Sequence, residues 1–197
     1  QATQRQYLLG PDQALRITER IAAGLADTEA CVHEGEPLVH GFVVPPLVQL
    51  SMDGEVRVTG LEHGAALRAQ VQNSQLREAF HAYLAPEVLM GGPLDARESV
   101  FSLGALMLHL LTGHAPRPGE LSATSIPTEL VPFLLQCFAE PGERFVNATT
   151  AHAELVRLLG LRDYSPTTFS LSFYLHSLLR EEIEAPAGAA AGLDETP

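Results

Sequence analysis

The chain has 197 residues, with 12 basic against 24 acidic side chains and a formal net charge of -12; that balance repels phosphate backbones and sets nucleic-acid binding aside. At 46% hydrophobic and 18% charged it has enough apolar side chain for one folded domain, which excludes wholesale disorder. All 12 basic residues are arginine, so Schiff-base chemistry and a GxxxxGK[ST] phosphate loop, which both need lysine, are excluded too.

From Asp12 to Leu25, the residues Ala14, Leu15, Ile21, Ala22 and Leu25, with Thr18 among them, recur at three and four. This spacing predicts an amphipathic helix, with Asp12 placed to cap its first turn after Pro11. A Gly/Pro-rich loop, Gly35 to Pro46, follows. Two short alternating runs, Leu47 to Leu50 and Val56 to Thr59, flank Asp53-Gly54 and predict a β-hairpin with a turn at that pair. Residues 65–82 are polar and weakly periodic, and read as a loop or a short helix. Val100, Phe101, Leu103, Leu106, Met107, Leu108, Leu110 and Leu111 then make a segment apolar on every side, ending at Gly113. A helix of that kind belongs in the middle of a domain.

Two further helices are predicted, Thr128 to Phe138 and Thr149 to Leu159, the second closed by Gly160. A segment from Thr167 to Glu184 carries mixed apolar periodicity, and the end of the chain is Ala/Gly/Pro-rich and acidic. The expected organisation is therefore a domain over 1–162, a helical extension over 163–185 and a disordered acidic tail over 186–197. Cys31 and Cys137 sit in apolar contexts with no CxxC spacing, and both are expected to be buried thiols in a reducing compartment. No apolar run is long enough to span a bilayer, and Gln1-Ala2-Thr3-Gln4 opens no signal pattern. The expectation is a soluble, cytoplasmic piece of a longer protein.

Motifs narrow this further. Tyr83-Leu84-Ala85-Pro86-Glu87, followed by Val100-Phe101-Ser102-Leu103-Gly104-Ala105-Leu106 and closing at Leu111-Thr112-Gly113, resembles the back half of a eukaryotic-type Ser/Thr protein kinase domain: the APE motif, then the central helix of the C-terminal lobe. In that register Val39-His40-Gly41-Phe42 falls on the HRD catalytic loop and Gly60-Leu61-Glu62 on DFG. The stretch Cys137 to Phe145 is similar to the one ending in the arginine that pairs with the APE glutamate. The resemblance runs from about Asp12 to Leu161. It implies a mainly α (α+β) fold, a kinase-like C-terminal lobe with a small β-hairpin and a C-terminal helical extension.

The register breaks where the family's chemistry lies. Family kinases use a catalytic-loop Asp to accept the substrate proton, an Asn and the DFG Asp to hold magnesium, and lysines to hold phosphates. The resemblance puts Phe42 at the Asp, Val44 at the catalytic-loop Lys, Leu47 at the Asn and Gly60 at the DFG Asp. Phe and Leu neither accept protons nor ligate hard cations. Ser99 replaces the Asp that opens the central helix, and Phe80 the Thr of the substrate-binding loop. No GxGxxG occurs, and no room for a five-stranded N-terminal lobe is expected before Asp12. Fold-supporting positions persist: the resemblance implies an ion pair between Glu87 and Arg144, and core positions for His40 and Leu61.

The expected function is thus a catalytically inactive, pseudokinase-like interaction or scaffold module in signalling. It would have a protein partner, no nucleic-acid or membrane partner, no cofactor or metal, and no use for ATP or magnesium. Phe169, Phe173 and Tyr174 are the candidate partner-binding residues, docking as a helix in a groove or else packing back on the lobe. The eight histidines show no HxxxH or HExxH spacing; Glu62-His63 is the one pair placed to hold a displaced metal. The alternative is a divergent Ser/Thr kinase or nucleotide-dependent transferase with its N-terminal lobe outside this chain.

Overall fold

The computed structural model describes residues 9–71, 73–117, 121, 126–161 and 167–184. Helix α1, Pro11–Ala30, buries Ala14, Leu15, Ile17, Thr18, Ile21, Ala22 and Leu25 along one face, the stripe that three-four spacing dictates. Its N-cap is Gly10, with no side-chain cap; Asp12 lies inside the first turn, where its negative charge is stabilised by the positive end of the helix dipole, and is not the cap the sequence reading assigned. Proline at the first helical position explains this, because its ring fixes the helical φ and its missing N–H needs no acceptor.

Two tiny antiparallel sheets follow. Strands β1 (Val32–His33) and β2 (Glu36–Pro37) form the first, β1 just before and β2 inside the Gly35 to Pro46 stretch expected to be loop, and β3 (Val48–Leu50) and β4 (Val56–Val58) form the second. The second hairpin pairs Val48 with Val58 and Leu50 with Val56, and Gly54 takes a φ of 80° at its turn. Residues 65–82 are more helical than their composition suggests. Helix α2 spans Leu61–Ala69, α3 spans Ser74–Phe80, and a 3-10 turn covers His81–Tyr83.

After α4 (Pro86–Leu89), helix α5 runs Ala96–Thr112, capped by the Asp95 side chain on Arg97 N–H and closed at Gly113 in the left-handed region. Val100, Leu103, Ala105, Met107 and Leu108 are buried along it, so it forms the axis of the domain. Helix α6 is shorter than its pattern, Val131–Cys137, and α7 spans Ala148–Gly160 behind a capping box between Asn147 and Thr150. Helix α1 packs on both α7 and α5. The Glu29 carboxylate also accepts from Ala148 N–H at 3.0 Å, holding an anion against the N-terminus of α7; burial pushes its pKa up against those backbone bonds.

Helix α8, Thr168–Glu184, packs back on the β3–β4 hairpin. Leu171 is buried, and Ser172 Oγ donates to Met52 O at 2.6 Å. The close approach needs a glycine at the turn: a Cβ on Gly54 would stand 2.1 Å from Thr168 O. Cys137 is buried and its thiol is pushed up by desolvation. Cys31 is exposed, against expectation, because α1 ends at Ala30 and its apolar neighbour Val32 also faces solvent. No described helix is long and apolar enough to cross a membrane. The tail expected over 186–197 lies outside the described residues.

Candidate functional site

The segment from His40 to Leu47 runs beneath β4 and against α2, where the sequence register put the catalytic loop. His40 is buried, and its Nε2 donates to Thr59 O at 2.9 Å, fixing that tautomer. Helix α2 lies directly on this loop: a Cβ on Gly64 would meet His40 O at 1.9 Å. Phe42, Val43 and Val44 are all 1–2% exposed. The Phe42 ring stacks edge-on against Phe80, with centroids 5.9 Å apart at 84°, an attractive geometry for two quadrupoles. The two positions expected to be polar in a working loop, Phe42 and Phe80, are thus a hydrophobic pair.

Two more of the positions singled out by the register, Leu47 and Gly60, also meet. Leu47 is half-buried against the core, and its methyl groups stand 3.1 and 3.3 Å from where a Cβ on Gly60 would lie. Gly60 has a φ of 83°, which disfavours any side chain at that point. Thr59 locks the pair in place, its N–H donating to Leu47 O at 2.8 Å and its hydroxyl to the same oxygen at 3.1 Å. A leucine side chain laid over a glycine offers no oxygen to a hard cation.

Leu61 corrects the expectation made for it. It is 37% exposed, because it opens α2 and faces a cavity of about 630 Å³ whose walls include Val32, Pro37, Leu38, Val39 and Leu94. Glu36 and Glu62 are the charged groups on those walls, and their carboxylates repel a polyphosphate. Glu62 and His63 sit 3.7 Å apart with both side chains exposed, and among the described residues no three His, Cys, Asp or Glu side chains gather into a metal-binding group.

Beside this apolar loop stand two polar clamps. Arg144 Nη1 donates to Glu87 Oε1 at 2.6 Å and to Arg97 O at 3.0 Å, and its Nε to Ala139 O at 3.2 Å. Its guanidinium also lies 5.4 Å from the Phe101 ring centroid. The second clamp was not visible in the sequence. Arg68 on α2 makes a forked contact with Glu98 on α5, at 2.6 and 3.1 Å, and donates to Gly92 O at 2.7 Å. Glu98 is buried, and desolvation raises its pKa against the pull of Arg68. A carboxylate 30 residues distant leaves no local spacing to read; a buried Glu in the first turn of an apolar helix was the one available signal. Ser102 Oγ donates to Tyr83 O at 2.7 Å, so it serves the fold and is no free nucleophile.

The aromatic residues of α8 divide. Phe169 and Phe173, one turn apart, are 79% and 69% exposed, whereas Leu171 between them is buried. Tyr174 is partly covered, and desolvation raises its pKa. The helix packs by one edge and leaves the Phe169/Phe173 face open.

No protein-family model matches the chain. Its sequence relatives decide the broader kinship. The chain is 40% identical over 118 residues to the serine/threonine-protein kinase PknL of Mycobacterium tuberculosis, covering 59% of this chain and 28% of that protein. It is 30% identical over 157 residues to serine/threonine-protein kinase A of Synechocystis sp., 66% of this chain and 30% of that protein. With the serine/threonine-protein kinase PkaB of Streptomyces coelicolor it shares 28% over 179 residues, 79% of this chain and 42% of that protein. The chain is kinase-like. Its fold is that of a mainly α kinase C-terminal lobe with small hairpins, and it spans less than half the length of these relatives.

Proposed function

We propose that this kinase-like chain is a catalytically inactive module that binds a protein partner in signalling and does not transfer phosphoryl groups. One observation carries the reading: Phe42, at the position of the proton-accepting Asp, is buried against Phe80, while Leu47 closes over Gly60. Phosphoryl transfer depends on positioning and on charge stabilisation by metal and polar groups. The apolar side chains of Phe42, Phe80 and Leu47, and a glycine at position 60, supply neither. No cofactor or metal belongs to this reading, and its place is the cytoplasm. The open face of α8, Phe169 and Phe173, is the part of the module assigned to the partner.

A thermal shift with ATP and ADP, each with and without magnesium or manganese, tests the inactive reading. A ligand present at a hundred times its dissociation constant would add about 2.7 kcal/mol. The expected result is no shift with any combination, and a metal-dependent shift overturns the reading. The second reading, a divergent Ser/Thr kinase, is favoured by the relatives, which are named as serine/threonine-protein kinases. Transfer of labelled phosphate from ATP by the full protein, abolished by no change at Phe42 or Leu47, would establish it with unorthodox residues.

A further inference from the structure

On the side of the lobe formed by α1, the β3–β4 hairpin and the first turn of α8, a cavity of about 500 Å³ is lined by Arg16, Arg20, Arg57, Gly54, Glu55 and Thr168, among others. Arg16 and Arg20 stand four apart on α1 and so share a face; Arg57 is the middle residue of β4. Three guanidiniums therefore line one opening in a chain whose net charge is -12. We propose that Arg16, Arg20 and Arg57 form a binding site for a phosphoryl dianion, carried either by a phosphorylated peptide or by a free phosphate compound.

The local charge count supports this. Arg57 is held by Glu55 at 2.7 Å and Arg16 by Glu19 at 2.8 Å, but Arg20 reaches Glu19 only at 3.8 Å. Glu19 is buried and also bonded to His152 Nε2 at 2.9 Å, so it is shared among three cationic or donor groups. Within the cavity wall itself, three guanidiniums face a single carboxylate, Glu55; Glu19 lies behind Arg16, and Asp53 lines the neighbouring face of the hairpin. Each guanidinium has five N–H donors in a fixed fork, and Glu19 and Glu55 take few of them.

The same arrangement selects the ligand's charge. A visiting carboxylate would have to compete with Glu19 and Glu55, which already offer the same chemistry at fixed positions. A phosphoryl group carries about -1.5 to -2 charge at neutral pH and three strong acceptor oxygens, and it meets guanidinium forks in the bidentate way they favour. The extension helix helps to build the site. Ser172 ties α8 to Met52 O, which sets Thr168 into the wall beside Gly54 and Glu55. None of the altered catalytic-loop positions lines it, so the site stands apart from the reading given above.

The test is titration calorimetry of the full chain at low salt with inorganic phosphate, with a short phosphoserine peptide and with the same peptide unphosphorylated. Binding of a phosphoryl-bearing probe is expected, weakened about tenfold or more in the double variant Arg20→Gln/Arg57→Gln and weakened by added salt. Arg157→Gln, which alters an exposed pair with Glu154 on α7, should leave it unchanged. Both tested arginine side chains are substantially exposed, so the double variant folds, which its thermal melt verifies. Tighter binding of the phosphopeptide than of phosphate would assign the site to a protein-borne group, and equal binding to free phosphate. Absence of binding by either phosphoryl probe, or equal binding by the double variant, overturns the proposal.

Discussion

Two neighbouring regions have opposite characters. Around the N-terminus of α5, the clamps Glu87–Arg144 and Arg68–Glu98 each pair one buried charge, Arg144 or Glu98, with a partly exposed partner. A few residues away, the loop His40 to Leu47 presents Phe42, Val43, Val44 and Leu47 and packs them into or against the core. A buried charge without its partner costs far more than an apolar replacement, so a clamp cannot be dismantled one residue at a time. A catalytic carboxylate facing an open cleft carries no such penalty, and an aromatic side chain can take its place and add burial. Under the proposed function, the contrast teaches that the lobe's architecture and its chemistry are separable.

The sharpest way to break the contrast is to return a carboxylate to the apolar loop. Phe42→Asp removes an aromatic packed against Phe80 and leaves a charge without a partner among Val43 and Val44, so we expect a loss of at least about 4 kcal/mol in a denaturant melt. A stability within 1 kcal/mol of the parent chain would show the loop to be open and polar. Arg144→Ala attacks the clamp side. It strands Glu87 and three other contacts at a cost of about 3–5 kcal/mol, and an unchanged melting temperature would contradict the account.

Arg68→Ala should cost about 3 kcal/mol at neutral pH, with a pH dependence that identifies the cause. Burial already raises the Glu98 pKa, so the folded state holds that proton more tightly than the unfolded chain and stability falls as pH rises past the ordinary carboxylate range. Losing Arg68 should steepen that fall, and Glu98→Gln in the same chain should abolish the added slope. Smaller still is the effect at His109. The phenol of Tyr83 lies 2.5 Å from its Nδ1, where a neutral imidazole accepts; burial and then His114 hold its pKa below 6.5. The unfolded chain therefore protonates first, and stability should drop as pH falls through that range. His109→Gln should flatten this acid limb of the stability profile. Phe169→Ser with Phe173→Ser should change stability by no more than about 0.5 kcal/mol yet remove the partner in affinity capture.

Much of this was legible in the chain. The α5 axis showed because its apolar residues leave no polar face, and the hairpin because alternation brackets Asp53-Gly54. Helices α2 and α3 showed only as a loop or a short helix: Gly64 interrupts the first, and α2 takes its position from contact with His40 O, a tertiary constraint that leaves no apolar stripe. Leu61 was misplaced for a related reason, since family register fixes a position along the chain and the packing of α2 then turns that side chain outward. The arginine cavity was invisible because Arg16, Arg20 and Arg57 belong to elements brought together only by the fold. Glu87 and Arg144, 57 residues apart, were found through motif register alone.

The central claim is that no metal-holding site remains between Leu47 and Gly60. The direct measurement is a backbone NMR titration with manganese, alone and with ATP, following paramagnetic broadening at the Leu47, Gly60 and Glu62 amides. The account predicts no selective loss of these signals relative to the rest of the chain. Selective broadening at Gly60 and Leu47 would place a cation there and contradict it.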